Sequence, residues 1–233
     1  MEMEQEIEAI GQEVKEFADR LIQKAEEDEE LGKLYKGTQI FFSPVVKNPQ
    51  ILFLGINPGS GYFNNVHKPV YKFGPQEQME YVSEEYALSD DWKYVFGYGC
   101  YKDRPEKENL HRPDILEDAC KTNCFFFATK DSADLKKLIR LSGKYFGAEL
   151  VEKSKDWTRR IVRFLEPEII ICEGKLAFEY FENFFHPEVE ITDNGDDYKC
   201  AKLGNSTVLM FSRRVDSRFK DIETVIDRIA DFL

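Results

Sequence analysis

Apolar positions along this chain follow two periods, and the changes between them divide it into elements. Over residues 3–30 the side chains Ile7, Ile10, Val14, Phe17, Ala18, Leu21, Ile22 and Ala25 recur at three- and four-residue steps. That spacing predicts an amphipathic helix with one buried stripe. Residues 50–55, 122–129, 168–172 and 207–211 instead hold short continuous apolar runs. Runs of that length predict strands covered on both faces, as in a parallel sheet. Further helices are expected over 147–165, 175–185 and 221–233. Residues 189–192 and 198–203 flank Asp193-Asn194-Gly195-Asp196-Asp197. Asn-Gly favours the positive dihedrals of a tight hairpin turn, so a hairpin is expected there. Buried strands alternating with helices point to an α/β layered domain with a largely parallel sheet.

A length of 233 residues suits one sizeable core, so residues 1–233 are expected to form a single domain. Within it, residues 1–35 hold the N-terminal acidic helix. The stretch 60–112, rich in turn residues and tyrosines, reads as an insertion with one or two short helices, including the pattern at 81–88. A connection that long is often a binding loop or lid. The net charge of −12 is unevenly spread: residues 1–30 carry twelve acidic and three basic side chains, a net of −9. The body is therefore near neutral at −3, which leaves room for a local basic patch without promising strong DNA affinity. Five cysteines, an odd number, suit a reducing cytoplasm better than a disulfide framework. No run of 18 apolar residues and no signal peptide is present, so no membrane association is expected.

Candidate chemistry concentrates where the first strand breaks. Gly55-Ile56-Asn57-Pro58-Gly59 cannot continue a strand, and its glycines let backbone approach a ligand. Ligands in open α/β sheets bind beyond the carboxyl ends of strands, where Asn57 falls. The plainer alternative is a tight turn whose Asn caps neighbouring backbone.

Three segments in order resemble the uracil-DNA glycosylase superfamily. Gly55-Ile56-Asn57-Pro58-Gly59 is similar to the first motif of the mismatch-specific uracil/thymine branch. Thr122-Asn123 resembles the position of a base-reading Asn, and residues 169–178 resemble the third strand and the helix after it. The resemblance spans roughly residues 48–225. It implies a three-layer α/β/α fold around a central, largely parallel four-stranded sheet, with the acidic helix and the hairpin added. It also implies base excision from DNA: hydrolysis of the N-glycosidic bond of uracil or another damaged pyrimidine. Such an enzyme extrudes the base, stabilises it as a departing anion and holds a water near the sugar carbon. In that role Asn57 would orient the water, since a neutral amide cannot take its proton. Backbone N–H groups at Gly55 and Ile56 would donate to the base. Asn123 would pair with its N–H and C=O, because an amide offers both an acceptor and a donor. The alternative for Asn123 is satisfying local backbone near the start of a strand. An aromatic stacking on the base is expected at Tyr71 or Phe73, with Tyr62 and Phe63 as nearer alternatives.

The chain departs from the family at 211–220, where a His-Pro-Ser-like or Asn-Pro-Ser-like segment is usual. Here Ser212, Arg213 and Arg214 stand instead, with Arg218 and Lys220 following. An Arg there would stabilise an anionic base or contact phosphate. A solvated loop is the alternative. Lys153, Lys155, Arg159, Arg160 and Arg163 surround Trp157 in a second basic cluster, of the kind that is usually solvated. Cys120 and Cys124 have no second close pair, so neither a metal site nor an iron–sulfur cluster is expected, and no cofactor is implied. Two further readings stay open. One is a non-catalytic module on the same fold binding a base, nucleotide or protein. The other is an enzyme for a small nucleoside-like substrate with 60–112 as its lid.

Overall fold

The computed structural model of the chain describes residues 2–59, 89–214 and 218–233. The N-terminal apolar stripe forms helix α1 (Glu2–Glu27), shorter than expected because Asp28 interrupts it. The Asp28 carboxylate accepts from the Glu30 and Leu31 amides and so caps a new short helix, α2 (Glu29–Leu34). The strands and helices that follow are β1 (Gly37–Thr38), β2 (Ile51–Gly55), α3 (Asp90–Phe96), α4 (Tyr98–Asp103) and α5 (Pro113–Asp118). Next come β3 (Cys120–Asn123), β4 (Phe127–Ala128), α6 (Ser132–Leu141), α7 (Lys144–Leu165), β5 (Ile169–Cys172) and α8 (Lys175–Phe185). The chain closes with β6 (Val189–Asn194), β7 (Tyr198–Leu203), β8 (Ser206–Phe211) and α9 (Ile222–Ile229).

One mixed sheet of six strands runs in the order β3-β2-β5-β8-β7-β6. Its first four strands are parallel, and the expectation of a four-stranded sheet is corrected by the hairpin. β7 pairs with β8 along its length, from Tyr198↔Phe211 to Leu203↔Ser206, so the hairpin extends the sheet instead of standing apart. The reason is apolar: Tyr198, Cys200 and Ala201 are buried and need the covered sheet faces. β6 lies at the edge with Glu190 and Asp193 exposed, charges that suit an open edge.

Register explains how the core divides. Gly55 lies opposite Asn123, Leu54 opposite Cys172, and Cys172 opposite Met210. Side chains alternate across a strand, so residues in register share a face. Leu52, Leu54, Ile170, Cys172, Val208 and Met210 pack into one cluster with α1, α7 and α8. Ile51, Phe53, Ile169, Ile171, Leu209 and Phe211 pack into the other with α3 and α9.

Two more expectations change. The run 122–129 is not one strand: β3 begins at Cys120, and Phe127–Ala128 leaves to pair antiparallel with β1. Asn123 therefore closes β3 at its carboxyl end. Nor is 60–112 a lid throughout, because α3 is core. Trp92 and Phe96 are fully buried, and the Trp92 ring lies 5.2 Å from Phe53. The helix expected at 81–88 falls outside the described residues.

The acidic helix has a partner. Arg160 of α7 reaches Glu6 at 2.8 Å and Glu13 at 2.7 Å, while the Trp157 indole donates to Glu13 at 3.0 Å. Arg159 and Arg163 turn to Glu188. Arg159, Arg160 and Arg163 of the basic cluster on α7 thus answer carboxylates of this chain.

Candidate functional site

Side-chain parity at the ends of four parallel strands builds the site. Phe53 faces the α3 and α9 side of the sheet, so Gly55, two residues on, opens toward the same side. By the same alternation Lys121 and Asn123 of β3, Glu173 just after β5 and Arg213 just after β8 lie on that side. A cavity of about 450 Å³ opens there, beyond the carboxyl ends of the strands, and these five residues line it with Ile56, Asn57, Ser132 and Arg214. The volume suits a base or nucleoside.

Gly55 sits against the Asn123 side chain. A Cβ at Gly55 would lie 2.2 Å from Asn123 Oδ1, a distance no real contact shows. Asn123 is only 5% exposed, and its amide makes no hydrogen bond to the described residues. The residue as a whole is buried, but its amide oxygen and nitrogen are not sealed off: they open to the cavity.

Asn57 is held differently. Its Nδ2 donates to Pro58 O at 3.1 Å, Phe127 O at 3.3 Å and Thr129 Oγ1 at 3.0 Å. The Thr129 hydroxyl spends its proton on Asp131 O at 2.7 Å, so it can only accept from Asn57. All three neighbours being acceptors, the amide orientation is fixed by chemistry. The nitrogen ties the turn to β4, and the carbonyl oxygen is the end left for a ligand or water. That oxygen can orient a water but cannot remove its proton.

Opposite Gly55 stands an ionic trio that the sequence reading passed over. Glu173 takes Lys121 Nζ at 3.0 Å and Arg213 Nη2 at 2.7 Å, with side-chain exposures of 8% for Glu173 and 13% for each cation. Burial alone would raise the Glu173 pKa, but Lys121 and Arg213 outweigh it and hold the carboxyl below its ordinary value. The Trp92 indole N–H faces the same carboxylate without reaching hydrogen-bond geometry. Gly174 follows with φ of +103°, which lets the chain turn from β5 straight into α8 and leaves Glu173 aimed into the cavity. A signal for Glu173 and Lys121 existed in the sequence: each continues the face parity of an apolar strand with a charge.

The structure brings Gly55, Ile56, Asn57, Asn123, Arg213 and Arg214 around one cavity, and places the rest elsewhere. Tyr62, Phe63, Tyr71 and Phe73 lie outside the described residues. Ser212 bonds the hairpin instead, donating to Asp196 O at 3.4 Å. Arg213 turns inward to Glu173, its guanidinium 5.1 Å over the Phe219 ring. Arg214 donates to Lys220 O at 3.3 Å, and Lys220 pairs with Asp197 at 2.7 Å. The expected basic edge along 213–220 is therefore partly turned inward and partly paired, because acidic groups lie within reach on neighbouring loops. Among the described residues, no group of three or more His, Cys, Asp or Glu is placed to hold a metal ion. No helix among them is long and apolar enough to cross a membrane.

Comparison with known protein families and with curated proteins finds no match to this chain.

Proposed function

We propose that the cavity receives a pyrimidine base read by Asn123, and that the chain hydrolyses the glycosidic bond of such a base in DNA. The observation that carries this reading is the Asn123 amide: without a hydrogen-bond partner among the described residues, open to a base-sized cavity, and seated over a glycine where a methyl group would displace it. An amide in that state suits the donor–acceptor edge of a pyrimidine. Apolar clusters on both sheet faces and a cavity at the strand ends support the same reading. In the reaction, Asn57 Oδ1 orients the attacking water and Asn123 fixes the base. Arg213 and Lys121 supply positive charge near the departing base, in the place where the family uses a His-Pro-Ser-like segment.

A second reading, base or nucleotide binding without hydrolysis, is favoured by one specific feature. The cations nearest the cavity already face a carboxylate, and Asn57 offers no proton acceptor of useful strength. The two readings separate in one experiment. Oligonucleotides bearing uracil or another altered pyrimidine are incubated with the chain and treated with alkali to reveal abasic sites. Scission that Asn57→Ala and Asn123→Ala both remove supports hydrolysis. Asn123-dependent binding without scission leaves the binding module.

A further inference from the structure

We propose that Glu173 selects which base the cavity accepts, favouring a pyrimidine edge with an exocyclic amino group, as in cytosine, over the carbonyl edge of uracil. This rests on Asn123 as the base reader, and it adds a residue and a substrate class to that reading.

Asn123 cannot make the choice alone. Turned one way, its Oδ1 accepts from the uracil N3–H while Nδ2 donates to O4. Turned the other way, Oδ1 accepts from the cytosine amino group while Nδ2 donates to ring N3. No hydrogen bond to the described residues fixes the Asn123 amide, so both orientations stay open to it.

Glu173 is fixed. Lys121 holds one carboxylate oxygen and Arg213 the other, in a setting where the side chain is 8% exposed. An ionised carboxylate only accepts, and each oxygen retains a lone pair beyond its cation. The placement brings this acceptor to the base edge. The position a Gly55 Cβ would take lies 2.2 Å from Asn123 Oδ1 and 3.7 Å from Glu173 Oε2. Glu173 thus supplies one fixed acceptor to this small region of the cavity wall, and Asn123 supplies a second when its Oδ1 faces Gly55, as it does in the structure. A ligand group that meets both must donate twice. An amino group has two N–H bonds to give, whereas a carbonyl oxygen has none and would meet a carboxylate in a site poor in water. Lys121 is the contrary element, since its ammonium could serve a carbonyl; a preference for uracil would be its signature. The sugar takes no part in reading this edge, so a nucleoside reports the same preference as a base within a strand.

The test is calorimetric titration of the full chain with 2′-deoxycytidine and 2′-deoxyuridine, repeated for Glu173→Gln and Asn123→Ala. Deoxycytidine is expected to bind at least about tenfold more tightly to the unsubstituted chain, the scale of a well-placed pair of hydrogen bonds to a base edge. Glu173→Gln, whose amide can present either group, is expected to bring the two within about threefold. If that variant does not fold, the ratio in the unsubstituted chain decides alone. Equal affinities, or tighter deoxyuridine, overturn the role of Glu173, while loss of both ligands in Asn123→Ala would still uphold the base reader. Binding of neither nucleoside, or binding indifferent to Asn123→Ala, overturns both.

Discussion

Gly55→Ala is the sharpest separation of fold from function that the cavity offers. The added methyl would stand 2.2 Å from Asn123 Oδ1, whereas an ordinary carbon–oxygen contact needs about 1 Å more. Gly55 is not among the described glycines with positive φ, so alanine meets no backbone penalty there and stiffens the unfolded chain by about 0.4–1 kcal/mol. The clash falls on the tip of a side chain that borders open space, so relief comes from swinging Asn123 and not from moving the sheet. Overpacking of this kind costs about 1–3 kcal/mol, and the two effects leave the fold within about 3 kcal/mol of its original stability. Recognition has no such relief. An amide displaced by about 1 Å no longer meets the base edge, and displacements of that size cost on the order of a hundredfold in rate. Urea denaturation and base titration on the same preparation check both halves. A folded Gly55→Ala chain that binds base and cleaves as well as the original would refute Asn123 as the base reader.

Arg213→Ala is expected to destabilise the chain by about 3–5 kcal/mol, because it strips one of two partners from a buried carboxylate; denaturant midpoints measure it, and a change below 1 kcal/mol would contradict the ionic trio. Asn57→Ala should cost about 1–2 kcal/mol through lost bonds to β4, and a double-mutant cycle with Thr129→Val should show coupling between the two sites. Glu13 has its pKa lowered: burial raises it, but the Arg160 and Trp157 hydrogen bonds outweigh that. Its contribution is therefore present above about pH 4.3 and lost as pH falls below it, so the melting temperature of Glu13→Gln should depend less on pH in that acid range. All five cysteines are buried, with burial pushing the Cys120 thiol up to about 11, so native protein should react slowly with thiol reagents and unfolded protein at once.

Much of this architecture was legible because local pattern and tertiary role agree. Ile51 to Leu54, Ile169 to Cys172 and Thr207 to Phe211 are apolar on both faces, and the sheet covers them on both faces. The Asn194-Gly195 turn marked its hairpin. Where the hairpin goes was not legible: β7 mixes Lys199 and Lys202 with buried residues, and its pairing with β8 is a matter of which apolar surface lacks cover. The run at 122–129 misled because it looks uniform, while Cys124 and Phe125 already follow the turn after β2, bonding Gly55 O and Ile56 O. At the site, Gly55 and Asn57 announced themselves through turn chemistry. Lys121 and Glu173 did not, because a single charge beside an apolar run reads as ordinary solvation until register puts both against Gly55 and Arg213. The carboxylates that meet Arg160 lie about 150 residues away in sequence, which no local pattern reports.

The central claim is that Asn123 holds a pyrimidine whose glycosidic bond is cut at this cavity. The most direct measurement is release of base from single- and double-stranded oligonucleotides carrying one altered pyrimidine, followed by mass spectrometry of the freed base for the original chain and for Asn123→Ala. The account predicts free base from the original chain and a loss of at least about a hundredfold in the variant. No free base from any altered pyrimidine, or equal release by the two proteins, would contradict it.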